Sequence, residues 1–238
     1  MTSDHSESLC MSARGLSKIY DTSGEPFTAL SDISIDLHAG EFIAVTGRSG
    51  SGKSTLLNLL AGLDRSSSGN IWSHSDVETD ITTLNEESMA RWRGKNVGIV
   101  FQSFQLLPSL TVLENVLMPM DLCGIIPKAD RRQRANRLLE DLEILDHANK
   151  LPSDMSGGQQ QRAAIARALA NDPDIIFADE PTGNLDTTTA KSVMELFAKL
   201  CARGKSIVMV THDIDLTDYF TRTFELIDGR HVSAEVAA

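Results

Sequence analysis

Residues 41–60 read EFIAVTGRSGSGKSTLLNLL, and this stretch decides the fold. An apolar run leads into Gly47-Arg48-Ser49-Gly50-Ser51-Gly52-Lys53-Ser54, which matches the pattern G-x-x-x-x-G-K-[ST]. The pattern predicts a buried strand, a glycine-rich loop and a helix that begins near Lys53. Glycines let backbone N–H groups turn inward around phosphate oxygens, and a helix N-terminus adds partial positive charge. The sequence therefore predicts a phosphate-binding loop. The alternative is a glycine-rich turn that happens to precede a helix.

Individual loop residues have separate expected roles. Lys53 is expected to pair with the β- and γ-phosphates of a bound nucleotide, and the Ser54 hydroxyl is expected to bind Mg²⁺. The residues of the loop assigned to the nucleotide are Gly47, Arg48, Ser49, Gly50, Ser51, Gly52, Lys53, Ser54 and Thr55.

Short apolar strands alternate with helical stretches after residue 41, which is typical of parallel strands joined by crossover helices. The predicted strands span residues 41–46, 96–101, 174–178 and 205–211. The features that follow these strands are, in order, the glycine-rich loop, Gln102, Asp179-Glu180 and His212. Ligands of open parallel sheets bind beyond the carboxyl ends of the strands. The four polar strand ends are therefore expected to share one site.

The acidic pair Asp179-Glu180 follows the apolar run 175–178. A carboxylate at a buried strand end can hold Mg²⁺, and a second one can orient and deprotonate an attacking water. We assign these roles to Asp179 and Glu180 respectively. The alternative is an acidic turn before Pro181.

A second glycine-preceded helix is predicted at Ser156-Gly157-Gly158, which leads into a stretch rich in helix formers. It is a second possible anion site. The plain alternative is a serine N-cap that only begins a helix.

The rest of the chain is organised around these motifs. Residues 1–12 are predicted to form a flexible tail, and the alternation at 32–37 predicts antiparallel β structure near the start of the fold. Residues from about 103 to 160 resemble a helical insertion, with helices at 112–118 and 135–145. Near the end, Asp228-Gly229 predicts a hairpin.

Composition excludes some function classes. The 238 residues are 41% hydrophobic and 23% charged, as in a globular protein, and the net charge of −11 argues against a broad nucleic-acid surface. The one basic run, between Lys128 and Arg137, is compatible with a solvated helix face or with contact to a partner or lipid headgroups. No stretch approaches the ~18 to 20 apolar residues of a membrane-spanning helix, and the N-terminus lacks the features of a signal peptide. The chain is therefore expected to stay in the cytoplasm.

Taken in order, the motifs resemble those of the ATP-binding cassette family over about residues 13–232. They are the phosphate loop 47–55, Gln102, MSGGQ at 155–159, IIFADE at 175–180, NLD at 184–186 and His212. Met155 stands where the family usually has leucine. The resemblance implies a P-loop NTPase fold of the α/β class, in which residues 13–238 form one domain. The expected parts are a mixed, largely parallel sheet, an antiparallel β subdomain and the helical subdomain.

The same resemblance implies a head-to-tail dimer that encloses two ATP molecules with Mg²⁺. Residues 156–159, Ser156-Gly157-Gly158-Gln159, would face the γ-phosphate of ATP bound to the opposite subunit, and Asp186 would bridge the two subunits. Gln102 would sense the γ-phosphate and Mg²⁺, and His212 would hold the attacking water. Tyr20 falls where the family places an aromatic ring on adenine; the alternative is a packed tyrosine at a strand end.

Two further stretches, FQSFQLLPSLTVLENVLMPM and ADEPTGNLD, look like the branch that serves lipoprotein release, macrolide or peptide export and bacterial cell division. This likeness implies a separate transmembrane permease and a place at the cytoplasmic face of the inner membrane. Residues 104–107 would lie near the groove for a coupling helix, or would be buried core. The expected partner in the dimer is a second ATPase subunit, either a second copy of the chain or a different cassette, and no nucleic acid is expected. The rival function is an ATP-switched regulatory subunit that moves no cargo.

Overall fold

Two β-sheets and a set of helices surround the phosphate loop in a computed structural model, which describes residues 8–21, 24–75 and 77–232. The strands in the described residues are β1 Leu9–Tyr20, β2 Phe27–His38, β3 Phe42–Thr46, β4 Ser68–Ser73, β5 Thr79–Asp80, β6 Val97–Phe101, β7 Ile175–Asp179, β8 Ser206–Val210, β9 Arg222–Ile227 and β10 Arg230–His231. The α-helices are α1 Lys53–Leu60, α2 Glu86–Asn96, α3 Val112–Cys123, α4 Lys128–Asp141, α5 Gly157–Ala168 and α6 Thr187–Ala202.

The larger sheet has the strand order β10-β9-β3-β8-β7-β6. Strands β3, β6, β7, β8 and β9 run parallel to their neighbours in this order, and β10 is antiparallel to β9. The four strands predicted from the sequence are confirmed to within one residue at each end. The predicted hairpin is confirmed as well, because Asp228 and Gly229 both adopt positive φ, 46° and 74°, between β9 and β10.

Both faces of this sheet are buried, which explains why its strands read as continuous apolar runs. Successive side chains of a strand point to opposite faces. In β3, Phe42 packs with the helical part of the chain, while Ile43 and Val45 pack toward the second sheet. In β7, Ile176 faces the helices and Phe177 faces the second sheet. The sheet therefore has a core on each face, one formed with α3, α4, α5 and α6 and the other with α1, α2 and the smaller sheet.

The smaller sheet is antiparallel, with the order β2-β1-β4-β5. The prediction that a flexible tail extends to residue 12 is wrong for residues 9–12. Met11 pairs with Leu37 on one side and Ser73 on the other, and it is only 2% exposed. Burial of this side chain and two sets of strand hydrogen bonds hold the segment in the sheet. Residues 1–7 lie outside the described residues.

The helical region differs in detail from the prediction. The helix predicted at 135–145 instead spans Lys128–Asp141, and a 3₁₀ turn, Leu145–His147, follows it. The basic run thus lies on α4, and two of its arginines are tied to the protein. Arg131 pairs with Asp121 at 2.7 Å, and Arg134 donates to the Ala170 carbonyl. Among the described helices, none has the combined length and apolar character that a bilayer crossing requires.

Candidate nucleotide-binding site

The glycine-rich loop between β3 and α1 has the backbone that the sequence predicts. Gly47 and Gly52 adopt φ values of 140° and 100°, which disfavour residues with a side chain. A Cβ atom at Gly47 would lie 2.2 Å from the Leu226 carbonyl oxygen, and one at Gly52 would lie 2.6 Å from the Ala29 carbonyl oxygen. Close approach of neighbouring backbone therefore requires glycine at both positions.

Lys53 is the first residue of α1, and only 8% of it is exposed. Its Nζ donates to the carbonyl oxygens of Gly47, at 2.9 Å, and Arg48, at 2.8 Å. An ammonium group has three hydrogens, so two carbonyl contacts leave one hydrogen for a phosphate oxygen. The lysine is thus held at the loop by the backbone that would bind the phosphates.

A cavity of about 360 Å³ opens beside the loop. Its lining includes Lys53, Ser54 and Thr55 from α1, and Glu180 and His212 from the ends of β7 and β8. A cavity of this size is in the range of small-ligand sites. The structure therefore brings three of the four predicted strand ends together.

Ser54 and Asp179 place a hydroxyl and a carboxylate next to each other at the phosphate loop. The Ser54 hydroxyl donates to the Asp179 carboxylate at 3.2 Å. Burial raises the pKa of the Asp179 carboxyl, and the charge of Glu180 adds to the rise; Ser54 and Lys53 oppose it. Because burial disfavours the negative charge of this carboxylate, a cation bound beside it would stabilise the charged form.

Hard oxygen donors of this kind fit Mg²⁺, which takes one or two protein ligands and completes its shell with phosphate and water. In the described part of the chain no group of three or more His, Cys, Asp or Glu side chains could hold a metal ion. The assignment of the ion itself stays a prediction.

Glu180 and His212 meet at the other side of the cavity. His212 Nδ1 lies 3.2 Å from Glu180 Oε1, and the Glu180 N–H donates to the Val210 carbonyl oxygen at 3.0 Å. Glu180 has φ 44°, a conformation that is costly for a residue with a side chain and that recurs at functional sites. The backbone thus directs this carboxylate at the cavity, where it can accept a proton from water.

Gln102 is the strand-end residue that the structure does not bring into the cavity lining. A Cβ atom on Gly183 would lie 2.7 Å from Gln102 Nε2, and Asn184 Nδ2 donates to the Gln102 carbonyl oxygen at 3.0 Å. Gln102 therefore lies beside the segment that follows Glu180. Its contact with the γ-phosphate or Mg²⁺ stays a prediction.

The second glycine motif forms the start of α5. Ser156 is the N-cap, and a capping box joins it to Gln159: the Ser156 N–H donates to Gln159 Oε1 at 3.0 Å, and the Gln159 N–H donates to Ser156 Oγ at 3.3 Å. Ser156 is exposed, and a Cβ atom on Gly158 would lie 2.5 Å from Thr189 Cγ2. None of the residues 156–159 lines the cavity at the phosphate loop.

Asp186 caps the neighbouring helix α6. Its carboxylate accepts hydrogen bonds from the Thr189 hydroxyl at 2.6 Å and the Thr189 N–H at 3.0 Å. These bonds lower the pKa of the Asp186 carboxyl. The side chain is exposed, beside the start of α5, so a bridge between subunits stays a prediction.

Tyr20 is not among the residues that line the cavity. Its hydroxyl donates to Asp64 at 2.9 Å, and Lys18 Nζ lies 4.7 Å from the centre of its ring. The aromatic residue that lines the cavity is Phe27, which pairs with Tyr20 across the two strands and is 55% exposed. Sequence reasoning missed Phe27, because an aromatic residue at a strand start carries no local signal for adenine. Stacking by Tyr20 stays a prediction.

Sequence reasoning also missed Arg167, near the C-terminal end of α5. Its guanidinium donates to the carbonyl oxygens of Phe104, at 3.0 Å, and of Gln105, both of which have positive φ. Burial lowers the pKa of this guanidinium. Helix α5 therefore carries the second glycine motif at one end and fixes the backbone of residues 104–105 at the other.

A groove of about 340 Å³ lies next to this contact, with Gln105, Met118 and Arg167 among its lining. Within the run 104–107, Gln105 lines the groove, whereas Leu106 packs against the core. The core alternative therefore holds for Leu106, and a coupling helix in the groove stays a prediction.

Comparison with known proteins gives one consistent family. Residues 30–183 match the family model described as ABC transporter. An ABC transporter ATP-binding protein of Thermotoga maritima, which is uncharacterised, is 46% identical over 213 residues, covering 90% of this chain and 89% of that protein. The lipoprotein-releasing system ATP-binding protein LolD of Pseudomonas fluorescens is 42% identical over 229 residues, covering 96% of this chain and 99% of that protein.

Solved structures agree. The chain is similar to the dimeric structure of MJ0796, described as a bacterial ABC transporter cassette, with a TM-score of 0.84, 40% identity and coverage of 94% of this chain and 97% of that one. A dimeric post-hydrolysis state of the same cassette, bound to ADP and Pi, has a TM-score of 0.84 at 39% identity, with coverage of 94% of this chain and 98% of that one.

Proposed function

The chain belongs to the ABC transporter family as an ATP-binding, ATP-hydrolysing subunit, and from this premise we propose that two copies close head to tail around ATP and thereby drive a separate membrane permease. Each copy would supply the phosphate loop to one nucleotide and the start of α5 to the other. The dimeric cassettes among the structural relatives support this arrangement.

One observation carries the proposal: within a single chain, the second glycine motif lies outside the lining of the cavity at the phosphate loop. The phosphate loop lines a cavity with Glu180 and His212, and Ser156 is an exposed helix cap outside that cavity. An exposed helix N-terminus favours an anion. A second chain is the natural source of that anion, because its nucleotide can lie between the two motifs.

The proposed reaction is in-line attack of water on the γ-phosphorus of ATP. A new P–O bond forms to the water oxygen, the bond to the ADP oxygen breaks, and Glu180 takes the proton released by water. His212, 3.2 Å from Glu180, would keep that water in line. Lys53 and the loop N–H groups would stabilise negative charge on the β- and γ-phosphates. Mg²⁺ held by Ser54 and Asp179 would add to this charge stabilisation.

The permease is proposed on two grounds. Relatives named as lipoprotein-releasing ATP-binding proteins cover nearly the whole chain, which favours extraction or export over a regulatory role in cell division. The groove beside Arg167 and Gln105 would receive a cytoplasmic segment of the permease. The chain would then work at the cytoplasmic face of the inner membrane.

The substitution Glu180→Gln tests the dimer. It should leave ATP binding intact, abolish turnover and trap a closed dimer, because the amide cannot accept the proton from water. Sedimentation with ATP and Mg²⁺ measures the dimer, and release of inorganic phosphate measures turnover. The matched control adds Lys53→Ala to the same protein, which should lose nucleotide affinity and remain monomeric. A Glu180→Gln protein that stays monomeric while still hydrolysing ATP would defeat the proposal.

A further inference from the structure

A histidine in the helical region contacts the motif at the start of α5. His147 ends the 3₁₀ turn Leu145–His147, and its Nε2 lies 2.9 Å from Gln159 Nε2. Gln159 is the residue whose side chain closes the capping box with Ser156. The glutamine lies twelve positions after the histidine in the chain, so the contact is tertiary.

The hydrogen positions in this contact follow from the capping box. The Ser156 backbone N–H can only donate, so the Gln159 atom 3.0 Å away has to be the amide oxygen. The amide nitrogen therefore faces His147 and donates to it. His147 Nε2 must accept, which requires a neutral ring with its hydrogen on Nδ1. The opposite orientation of the Gln159 amide would place its NH₂ group against the Ser156 N–H, so that two donors would face each other.

The second ring nitrogen does not hold the histidine by another bond. Within the described part of the chain, His147 Nδ1 is buried and has no hydrogen-bond partner. Among the described residues, Gln159 is thus the one hydrogen-bond partner of this ring. A buried polar ring with one satisfied nitrogen is costly, because a buried donor without a partner loses its hydrogen bond with water.

We propose that His147 is a positioning residue for the start of α5. Its Nε2 fixes the Gln159 amide, the amide fixes the Ser156 backbone, and the Ser156 hydroxyl and N-terminal N–H groups of α5 thereby face the position of the opposite subunit's γ-phosphate. The inference rests on the proposed dimer for its effect on ATP, but the hydrogen-bond chain from His147 to Ser156 exists in a single chain. The two can therefore be tested separately.

The first test uses the single chain. Two-dimensional ¹H–¹⁵N spectra of the histidine rings report which nitrogen of His147 carries hydrogen, with His147→Gln used to assign the signal. Hydrogen on Nδ1 is the expected result. Hydrogen on Nε2 in the folded protein would overturn the inference. Amide hydrogen exchange at Ser156 should be faster in His147→Leu, which has no acceptor, than in His147→Gln, whose amide oxygen can replace Nε2.

The second test uses the closed dimer in the Glu180→Gln background. Without His147 the Gln159 cap is no longer held in the monomer, so closing of the His147→Leu dimer has to order it again at both sites. If that cost equals one net hydrogen bond for each site, about two- to twelvefold in an equilibrium constant, ATP-dependent dimerisation should weaken by roughly five- to 150-fold. His147→Gln should restore it to within about threefold of the parent, as expected for a replaced hydrogen bond. Binding of a fluorescent ATP analogue to the monomer should not change in either variant, because the phosphate loop is not affected.

Asn149→Leu is the matched control, because Asn149 is an exposed residue two positions further along the same connection. It should dimerise like the parent. Equal dimerisation by His147→Leu and the parent would overturn the inference, as would an equal loss in His147→Leu and His147→Gln. If the parent itself fails to dimerise, the proposed function fails, and the ring spectrum and the exchange rates of Ser156 still decide the role of His147.

Discussion

Replacing Ser156 by aspartate separates the structural role of the α5 cap from its proposed role at the nucleotide. The Ser156 hydroxyl accepts the Gln159 N–H at 3.3 Å and so caps the helix. Aspartate caps helices as well as serine does, and its charge is favourable at a helix N-terminus. Ser156→Asp should therefore keep the stability of the parent. Ser156→Ala should lose about 1 kcal/mol, the usual cost of a lost cap.

The two variants should rank in the opposite order for ATP-dependent dimerisation, with Ser156→Asp weakening the dimer more than Ser156→Ala. A carboxylate about 4 Å from a γ-phosphate charge costs roughly 4 kcal/mol at an effective dielectric constant of about 20. That energy corresponds to roughly a thousandfold loss in the ATP-dependent dimer for each site. Ser156→Ala lacks this repulsion and should weaken the dimer far less.

Thermal unfolding and sedimentation give the two measurements, both in the Glu180→Gln background with and without ATP and Mg²⁺. For a chain of this size a loss of about 1 kcal/mol corresponds to a fall of roughly 2–4 °C in Tm. The expected pattern is an unchanged Tm with no dimer for Ser156→Asp, and a lowered Tm with a measurable dimer for Ser156→Ala. A Ser156→Asp protein that dimerises like the parent would show that this helix start does not face a phosphate.

Two further substitutions test the cavity. Asp179→Asn should abolish Mg²⁺-dependent turnover and raise the Tm of the nucleotide-free protein at pH 7. Burial raises the pKa of the Asp179 carboxyl in the folded state, so its charged form opposes folding at neutral pH. The gain in Tm of Asp179→Asn over the parent should therefore shrink as the pH falls through the folded pKa toward 3.8. A gain in Tm that is constant with pH contradicts this account. Tyr20→Ala should weaken binding of a fluorescent ATP analogue by roughly five- to 150-fold, the worth of about 1–3 kcal/mol for stacking of a base, whereas Tyr20→Phe should bind like the parent. If Phe27→Ala weakens binding of the analogue and Tyr20→Ala does not, Phe27 rather than Tyr20 contacts the adenine.

The groove beside Arg167 would link closure of the proposed dimer to the proposed permease. Arg167 holds the backbone of Phe104 and Gln105, and it belongs to the same helix as the Gln159 cap. Movement of α5 on closing around ATP would therefore also move the groove. This coupling depends on the rigidity of a single helix.

Much of the nucleotide site was readable from the sequence, because the phosphate loop is made of contiguous residues. The conformation of Gly47 and Gly52 and the position of Lys53 follow from local spacing, and the strands that carry Asp179 and Glu180 follow from their apolar runs. The hairpin at Asp228-Gly229 was predictable for the same reason. In each case the signal lies within a few neighbouring residues.

Other features required the tertiary structure. The pairing of β1 with both β2 and β4, and with it the error over residues 9–12, depends on which distant strands meet. The sequence marked neither the helix α2 nor the strand β4, although Asn85 is a regular N-cap. The 3₁₀ turn at Leu145–His147 replaced the end of a predicted helix, because α4 stops at Asp141.

The sequence by itself determined the class of chemistry, phosphate binding, because a phosphate-binding loop is formed by the backbone of one short segment. Only the tertiary structure decided which side chains lie around it. Phe27 lines the cavity while Tyr20 bonds to Asp64, and His147 contacts Gln159, which lies twelve positions further along the chain. The physical reason is that local periodicity fixes which face of an element is buried. Which partner that face or loop meets is set by the packing of the whole chain.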